Sequence, residues 1–237
     1  MKKLIKITFL LAAVTLFSVA KTQAQVSVGV TLQANIAPPA IPVYTQPPCP
    51  EDGYLWEPGY WSWDSTQNDY YWVPGVWVAP PSAGLYWTPG YWGYDGNVYL
   101  FHAGYWGPHV GYYGGVNYGG GFFGIGFVGG AWSGGHFRYN TAVWNVDRTR
   151  VHNVYVDRTV IQNHTISNRV SYSGPRPEEA QAARDKHVQA TREQQTHMQS
   201  ARADKSQFHS VNHGSPSRPS MPRVGGGQRG GGGRGKH

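Results

Sequence analysis

The chain of 237 residues carries 32 glycines, 17 prolines and 10 tryptophans, and 14% of its residues are charged. Its formal net charge of +7 divides unevenly, since residues 22–137 contain six acidic residues and no lysine or arginine, whereas residues 138–237 contain 16 basic and 7 acidic ones. The missing cations argue against a nucleic-acid interface in the first region, and a single cysteine excludes an internal disulfide. We therefore expect an aromatic, mildly acidic region and a basic region with different partners.

The first 24 residues have the pattern of a cleaved secretory signal peptide. Three lysines precede an apolar run of 14 residues (7–20), and Ala24 supplies a small residue at the expected cleavage point. The run is too short to span a bilayer, although an uncleaved membrane anchor is the alternative interpretation. Because no long apolar stretch follows, we expect an exported chain without a transmembrane segment, located in the periplasm, at the outer envelope or outside the cell.

Residues 25–53 form the next segment, which begins with one candidate short strand, VSVGVTL, and continues as the proline-rich APPAIPVYTQPPCP. This composition favours an extended, polyproline-like lead-in. Cys49 lies within it and is expected to be an exposed thiol, with a disulfide to another chain as the alternative. No histidine lies near it in sequence to act as a base, so we do not expect a catalytic cysteine.

The segment from residue 54 onward repeats one motif, Trp-x-Pro-Gly-x-Trp. It reads WEPGYW at 56–61, WVPGVW at 72–77 and WTPGYW at 87–92, and a degenerate copy, FHAGYW, follows at 101–106. Proline and glycine suit the two central positions of a type II turn. The sequence therefore predicts a chain reversal at every Pro-Gly step, which would make the two tryptophans of each motif cross-strand neighbours.

Further reversals are predicted at three stretches between the motifs, at 64–69, 80–84 and 94–97. The predicted fold class is mainly β, an antiparallel meander of short strands built from Trp-x-Pro-Gly-x-Trp hairpin repeats, in an aromatic and glycine-rich module covering 54–144. The residues predicted to build the repeat are those of the motifs: Trp56, Pro58, Gly59, Trp61, Trp72, Pro74, Gly75, Trp77, Trp87, Pro89, Gly90, Trp92, Gly104 and Trp106.

The aromatic side chains of this module have two interpretations, core and ligand platform. Few aliphatic residues are available, so the motif tryptophans are needed for the core. Tyr60, Tyr91 and Tyr105 each precede a tryptophan and would face the other side of a strand. They are the candidate platform for an uncharged glycan, and a second structural face is the alternative. Carboxylates lie nearby in sequence, at Glu57, Asp64 and Asp95.

These motifs resemble the WxxGxW (YXWGXW) repeat family of exported bacterial envelope proteins. The resemblance covers roughly residues 54–132 and rests on three Trp-x-Pro-Gly-x-Trp copies in register. It implies an envelope-associated or secreted protein, without an established molecular activity. No catalytic residue is carried over from the family.

The basic region is predicted to have three parts. A strand-like connector (145–172) contains VDRT twice, at 146–149 and 156–159, and is followed by a solvated helix (177–208) without an apolar stripe. A disordered Gly/Arg tail (209–237) ends the chain. The candidate contacts to an anionic polymer are Arg148, Arg150, Arg158, Arg169, Arg229 and Arg234.

Signals for chemistry are weak. The sequence GIGFVG (124–129) fits a dinucleotide fingerprint but lacks the strand and helix that the fingerprint requires. His152 and His164 are about 40 Å apart along an extended strand, too far to share an ion. His102 and His109, in the aromatic module, are interpreted as solvated or hydrogen-bonded. The sequence predicts no catalytic residue, no cofactor and no metal site.

Together these features predict a non-enzymatic, exported structural or interaction protein of the bacterial envelope. Its aromatic repeats would form a scaffold, and its basic tail would contact an anionic surface polymer; other envelope proteins are further candidate partners. Export argues against an intracellular nucleic-acid partner for the Arg-Gly tail. A glycan-binding module using exposed tyrosines is the alternative, and an unrecognised hydrolase is the third hypothesis.

Overall fold

The structure is a computed structural model that describes residues 30–124, 126–159 and 174–225. The predicted signal peptide and the candidate residues Arg169, Arg229 and Arg234 lie outside the described residues. Short antiparallel strands dominate and helices are few, so the predicted mainly β class is confirmed. In the part of the chain that is described, no helix has the length and apolar character needed to cross a membrane.

The first two motifs form one long antiparallel hairpin, here called the first hairpin (55–78). One side consists of β2 (Leu55–Glu57) and β3 (Tyr60–Asp64), and the other of β4 (Asp69–Val73) and β5 (Gly75–Val78). The register pairs Trp61 with Trp72 near the reversal and Trp56 with Trp77 near the base. The reversal lies at residues 65–68, within one of the predicted polar stretches.

The next two motifs repeat this arrangement in the second hairpin (86–107). Its strands are β6 (Tyr86–Thr88), β7 (Tyr91–Tyr94), β8 (Tyr99–His102) and β9 (Tyr105–Gly107). Trp87 pairs with Trp106 at the base, and Trp92 pairs with Phe101 toward the reversal at 95–98. A repeat unit is therefore two motifs running antiparallel, and not a single motif.

The prediction that the chain reverses at each Pro-Gly step is wrong. A type II turn needs a left-handed glycine, and Gly59, Gly75, Gly90 and Gly104 all lie outside that region. The strands continue through these steps, because each motif glycine provides space for a ring of the paired motif. A Cβ at Gly59 would lie 2.3 Å from Cζ2 of Trp72.

This packing is reciprocal in both hairpins. The first aromatic residue of every motif covers the glycine of the motif with which it pairs. Cβ atoms added to the other three motif glycines would lie 2.4–2.7 Å from the ring of the paired motif. The ring–glycine pairs are Trp72 on Gly59, Trp56 on Gly75, Phe101 on Gly90 and Trp87 on Gly104.

Each Pro-Gly step also moves a strand from one core to another. Trp56 and Trp77 belong to the largest core cluster, whereas Trp61 and Trp72 belong to a second cluster. Residues five apart on an extended strand point to opposite faces, so the spacing of the motif tryptophans supplies two cores at once. The bases of both hairpins share the largest cluster, which also contains Trp87 and Trp106.

The remaining strands extend or cover the two hairpins. β1 (Val30–Ala34), at the start of the lead-in, adds antiparallel to β8. β10 (Asn117–Gly119) pairs with β11 (Phe122–Phe123). The last sheet combines β12 (Gly130–Ser133), β13 (His136–Asn140) and β14 (Val154–Tyr155). In the described part of the predicted strand-like connector, β14 is the only strand, and residues 160–172 lie outside the description.

The segment predicted as one solvated helix contains several elements. They are α1 (Pro177–Ala182), β15 (Val188–Gln189), α2 (Arg192–Ala203) and a 3₁₀ helix (Lys205–Gln207). Helix α2 packs on β4 and buries Gln194, His197 and Ala201, which share one face. The prediction of a solvated helix is wrong here because this buried face is mostly polar and is satisfied by hydrogen bonds, so it leaves no apolar stripe in the sequence.

The beginning of the predicted disordered tail is folded as well. Residues 209–225 contain α3 (His209–Asn212) and β16 (Ser220–Met221), which pairs in parallel with β5. The indole Nε1 of Trp72 donates to the carbonyl of Pro219 at 3.0 Å. Tail residues therefore complete the first hairpin, just as β15 adds to β9 of the second. The prediction of disorder is wrong for 209–225, because these backbone partners are supplied by distant strands.

The cysteine of the lead-in, Cys49, is buried and not exposed. Cys49 is 1% exposed, and its thiol donates to the carbonyl of Glu51 at 3.3 Å. Its backbone N–H donates to Asn145 at 2.9 Å. Burial raises the pKa of the Cys49 thiol to about 12. Cys49 is a core residue in this structure, and the expectation of an exposed thiol is wrong.

Candidate functional site

A cavity of about 350 Å³ lies where the two hairpins meet helix α2. The first hairpin contributes Glu57 and Tyr60, and the second contributes Trp87 and residues of β8 and β9. Helix α2 and the preceding strand β15 close the remaining side. Rings form much of its lining, from Tyr60, Trp87, Phe101, Tyr105 and Tyr118, together with Leu32 and Met198.

Three polar side chains of α2 hold it on the hairpins. Gln194 is bonded to both Trp106 and Glu57, and Nε2 of His197 lies 2.7 Å from the carbonyl of Pro74. At the end of the helix, Arg202 donates two hydrogen bonds to Asp64, at 2.8 and 3.0 Å. The Arg202 bonds lower the pKa of Asp64 to about 2, so this carboxylate stays ionised. The helix is therefore fixed over the cavity by polar groups.

Glu57 is the charged group of this cavity and is only 4% exposed. Its Oε2 accepts from Nε2 of Gln194 at 2.9 Å. The other end of the Gln194 amide, Oε1, accepts from the indole of Trp106 at 2.8 Å and from the backbone N–H of Thr191 at 2.9 Å. Because both donors need an acceptor, they fix the amide with its NH₂ toward Glu57.

Burial dominates the electrostatics of Glu57. Loss of hydration raises the pKa of this carboxyl to about 7, and the bond from Gln194 opposes the rise only in part. A group with such a pKa can hold or release a proton near neutral pH. Combined with its place in a cavity, this marks Glu57 as a candidate functional residue.

The three candidate platform tyrosines do not form an exposed row. Tyr60 is half-buried and stacks on Phe101 with ring centroids 5.6 Å apart. Tyr105 is 7% exposed, because the segment before α2 covers it and brings His187 to 3.9 Å between ring centroids. Tyr91, also half-buried, stacks on His102 at 4.5 Å. The expectation of exposed tyrosines fails because another ring covers each of them.

Tyr91 and Tyr105 instead line a second cavity of about 580 Å³. Its rim is more polar than that of the first cavity. It combines the imidazole of His102 with charged side chains of the α1 region, namely Glu179, Arg184 and Asp185. An aromatic wall beside carboxylates and a guanidinium is a suitable surface for a polar ligand with an apolar face.

The basic connector presents its arginines on two matched turns. In each VDRT copy the aspartate accepts from the backbone N–H and the hydroxyl of the threonine two residues later, at 2.9 and 2.6 Å. These bonds from Thr149 and Thr159 lower the pKa of Asp147 and of Asp157. Arg148 and Arg158, between the bonded residues, are exposed.

The histidines take structural or surface positions. His152 bonds Asp52 at 2.8 Å and His109 bonds Asp185 at 2.9 Å. His102 stacks under Tyr91, and burial lowers its pKa. His164 lies outside the described residues. Within 30–124, 126–159 and 174–225, no three metal-ligating side chains come together.

Sequence reasoning missed the link between Glu57 and Gln194, which are 137 positions apart. The only local signal was a carboxylate inside a motif whose neighbours are aromatic. The equivalent position of the other three motifs is Val73, Thr88 or His102. A glutamate there is a departure from the repeat, and such departures are where a site can be sought.

The family resemblance is confirmed by comparison with known families. The sequence model of the WXXGXW repeat matches this chain in two copies, at residues 52–78 and 86–106. These boundaries coincide closely with the first and second hairpins, so each family copy corresponds to one structural hairpin. No curated protein and no solved structure matches the chain.

Proposed function

We propose that this WXXGXW-repeat protein is a non-enzymatic, exported structural or interaction protein of the bacterial envelope. The two hairpins provide a scaffold whose aromatic cores fix the position of the basic connector. The connector and the basic tail bind an anionic surface polymer, such as an acidic polysaccharide. The observation that carries this proposal is the pair of matched Asp-Arg-Thr turns.

Both turns are attached to the folded module, which supports their role as a fixed binding surface. Val151, 1% exposed, donates its N–H to Asp147 at 2.9 Å. The buried side chain of Asn140 accepts from the N–H of Asp157 at 2.9 Å and donates to its carbonyl at 3.1 Å. Binding by such preorganised turns loses less conformational entropy than binding by a free chain.

The exposed charges of the connector also support an anionic polymer as the partner. Arg148 and Arg158 form no ion pair with a described acid, and Arg150 reaches Asp147 only at 3.8 Å. Arg138, on the neighbouring strand β13, lies over the ring of Tyr155 at 5.5 Å and adds a further exposed cation. Exposed guanidinium groups are suited to carboxylate and phosphate groups on a polymer.

The test is retention of the mature chain (25–237) on immobilised alginate, a polymer of uronic acids, eluted with increasing salt. We expect Arg148→Gln/Arg158→Gln to elute at clearly lower salt than the wild type. A matched control, Lys186→Gln/Arg192→Gln, loses the same charge from other exposed positions and should elute near the wild type. Equal shifts for the two double variants would show that only net charge matters. Removal of residues 226–237 measures the contribution of the tail separately.

Glycan binding at the second cavity is the second candidate function. The observation that favours it is the stacked pair of Tyr91 and His102 beside Glu179 and Asp185. Tyr91→Ala should abolish binding on a glycan array while the melting temperature stays within a few degrees. The control is Tyr94→Ala, which removes a 57% exposed tyrosine from the same strand. Equal signals for both variants would reject this function.

Export is tested by fractionating cells and determining the N-terminus of the recovered protein. We expect the envelope or extracellular fraction to contain a chain that begins at Gln25. A protein that keeps residues 1–24, or one that remains in the cytoplasm, would contradict the proposed location.

A further inference from the structure

We propose that the cavity between the two hairpins and α2 binds a small organic amine, with the ammonium group on Glu57 and the apolar body against the aromatic walls. This site uses none of the residues of the arginine turns, and it shares a wall with the second cavity at Tyr105 and His187. It does not depend on the polymer-binding function proposed above.

Glu57 supplies the anionic end of the site. It is 96% buried, and its Oε2 accepts a bond from Gln194. No hydrogen bond from a described residue reaches its other oxygen, Oε1. The described residues do not fully enclose this oxygen. None of the described residues that line the cavity is lysine or arginine. A carboxylate in this position therefore has an open oxygen and no cation of its own, which a bound ammonium group would provide.

The walls suit the rest of such a ligand. Tyr60 and Phe101 stack nearly parallel, with 16° between their rings, and Trp87 and Tyr105 add further aromatic surface. Ring faces attract a cation within about 6 Å, and tryptophan does so most strongly. Leu32 and Met198 add apolar surface for the body of the ligand. Carboxylate and rings together select a positively charged, partly apolar molecule over an anion or a neutral sugar.

Size and access fit a small molecule. A volume of about 350 Å³ lies in the lower part of the range for ligand sites. The lining includes Val188, which is 44% exposed, and Gln195, which is also exposed, so the cavity reaches the surface beside β15. A ligand can enter at this edge without displacing the hairpins.

The negative charge of Glu57 is not needed to hold the fold. Gln194 is already oriented by Trp106 and Thr191, and a glutamine at position 57 could accept its NH₂ equally well. A carboxyl whose pKa is raised by burial weakens folding at neutral pH. An acid that destabilises the fold at neutral pH is expected where its charge is used for binding.

The experiment uses isothermal titration calorimetry on the mature chain (25–237) at pH 8, with two probes of nearly equal shape. These are 2-phenylethylamine, which carries the cation, and 2-phenylethanol, which does not. We expect saturable binding of the amine at least tenfold tighter than that of the alcohol. Glu57→Gln should weaken amine binding at least tenfold and leave the alcohol unchanged. Glu193→Gln removes an exposed acid from α2 and should bind the amine like the wild type.

The pH dependence gives an independent readout. The titratable groups that line the cavity are Glu57, Tyr60, Tyr105, Tyr118 and His187. As Glu57 takes up a proton, amine affinity should fall by roughly tenfold between pH 8 and pH 6. If a His187→Gln variant shows the same decrease in amine affinity, the decrease is caused by protonation of Glu57 and not of His187.

The proposal is overturned if the wild type shows no saturable amine binding up to millimolar concentrations. It is also overturned if amine and alcohol bind equally, or if Glu57→Gln binds the amine as tightly as the wild type. Melting curves of each variant, recorded alongside, separate loss of the site from loss of the fold.

Discussion

The two hairpins share their geometry but differ in how deeply they are buried. In both, the first aromatic residue of each motif packs on the glycine of the partner motif. In the first hairpin, four of the five residues of β3 are buried, whereas β7 of the second hairpin is half-buried to exposed. Helix α2 and β16 cover the first hairpin, and no described helix packs in this way on β7.

The two hairpins also differ in sequence at corresponding positions of their motifs. Trp72 of the first hairpin corresponds to Phe101 of the second, and Pro74 corresponds to Ala103. The glycines are the same in both hairpins. This comparison teaches that glycine and a ring are the geometric requirement of the repeat, while the indole and the proline vary with the surroundings.

The largest effect should come from closing the space at a motif glycine. In Gly59→Ala the new Cβ would lie 2.3 Å from the Trp72 ring and 2.9 Å from the backbone N of Gly75. Trp72 is 0% exposed and cannot move away, so we expect a loss of about 3 kcal/mol or more in unfolding free energy. Urea denaturation followed by tryptophan fluorescence provides the measurement.

The control for this variant is Gly107→Ala in β9. There the nearest atom to an added Cβ is 3.4 Å away, an ordinary contact. We expect its stability to stay within about 1 kcal/mol of the wild type. If both alanines cost the same, ring-on-glycine packing is not what holds the hairpins together.

The next effect concerns Glu57, which is specific to the first hairpin. Its folded pKa of about 7 exceeds the ordinary 4.5, so the folded state binds the proton more tightly than the unfolded state. Its contribution to stability is therefore present below pH 4.5 and is lost as the pH rises through 7. The unfolding free energy of Glu57→Gln, relative to that of the wild type, should therefore rise by about 2–3 kcal/mol between pH 4.5 and pH 8. A difference that stays constant with pH would mean that Glu57 is not buried as described.

A smaller loss of stability is expected when Trp72 of the first hairpin is replaced by phenylalanine, the residue at the corresponding position 101 of the second. Trp72→Phe keeps a ring over Gly59 but removes the hydrogen bond to Pro219. We expect a loss of about 1–2 kcal/mol in unfolding free energy, from the lost bond and the smaller ring. Hydrogen exchange at Gly75, whose N–H donates to Pro219 at 3.1 Å, should accelerate as the tail detaches. Unchanged hydrogen exchange at Gly75 would show that the Trp72 indole is not needed to dock the tail.

The smallest effect should follow Pro74→Ala, which gives the first hairpin the alanine of the second. The carbonyl that accepts from His197 is retained. We expect a loss of only about 0.4–1 kcal/mol, from greater freedom of the unfolded chain. A loss as large as that of Gly59→Ala would show that the proline itself is a geometric requirement of the motif.

Sequence reasoning reached the fold class, the repeat family and the reversals at 64–69 and 94–97, because these follow from local composition. It misplaced the reversals at the Pro-Gly steps, since a Pro-Gly pair is compatible with a turn and with an extended crossing. Only the register decides between them, and it is set by the packing of Trp72 on Gly59, which is not local.

The candidate sites show the same limit. The exposed arginines of the VDRT turns were identified as candidates from the sequence, because charge and turn residues are local signals. The cavity was not, because it depends on β15 and α2 folding back over the hairpins. Helix α2 docks through Gln194 and His197, whose burial is satisfied by distant partners and leaves no hydrophobic pattern.

The central claim is that paired motifs form one hairpin, and nuclear Overhauser effects between assigned indole protons test it most directly. The rings of Trp56 and Trp77 are 5.4 Å apart, and those of Trp61 and Trp72 are 5.3 Å apart. We expect strong cross-peaks within these two pairs, assigned with single Trp→Phe variants. Cross-peaks linking Trp56 to Trp61 and Trp72 to Trp77, with none between motifs, would contradict the hairpin and restore a reversal at every Pro-Gly step.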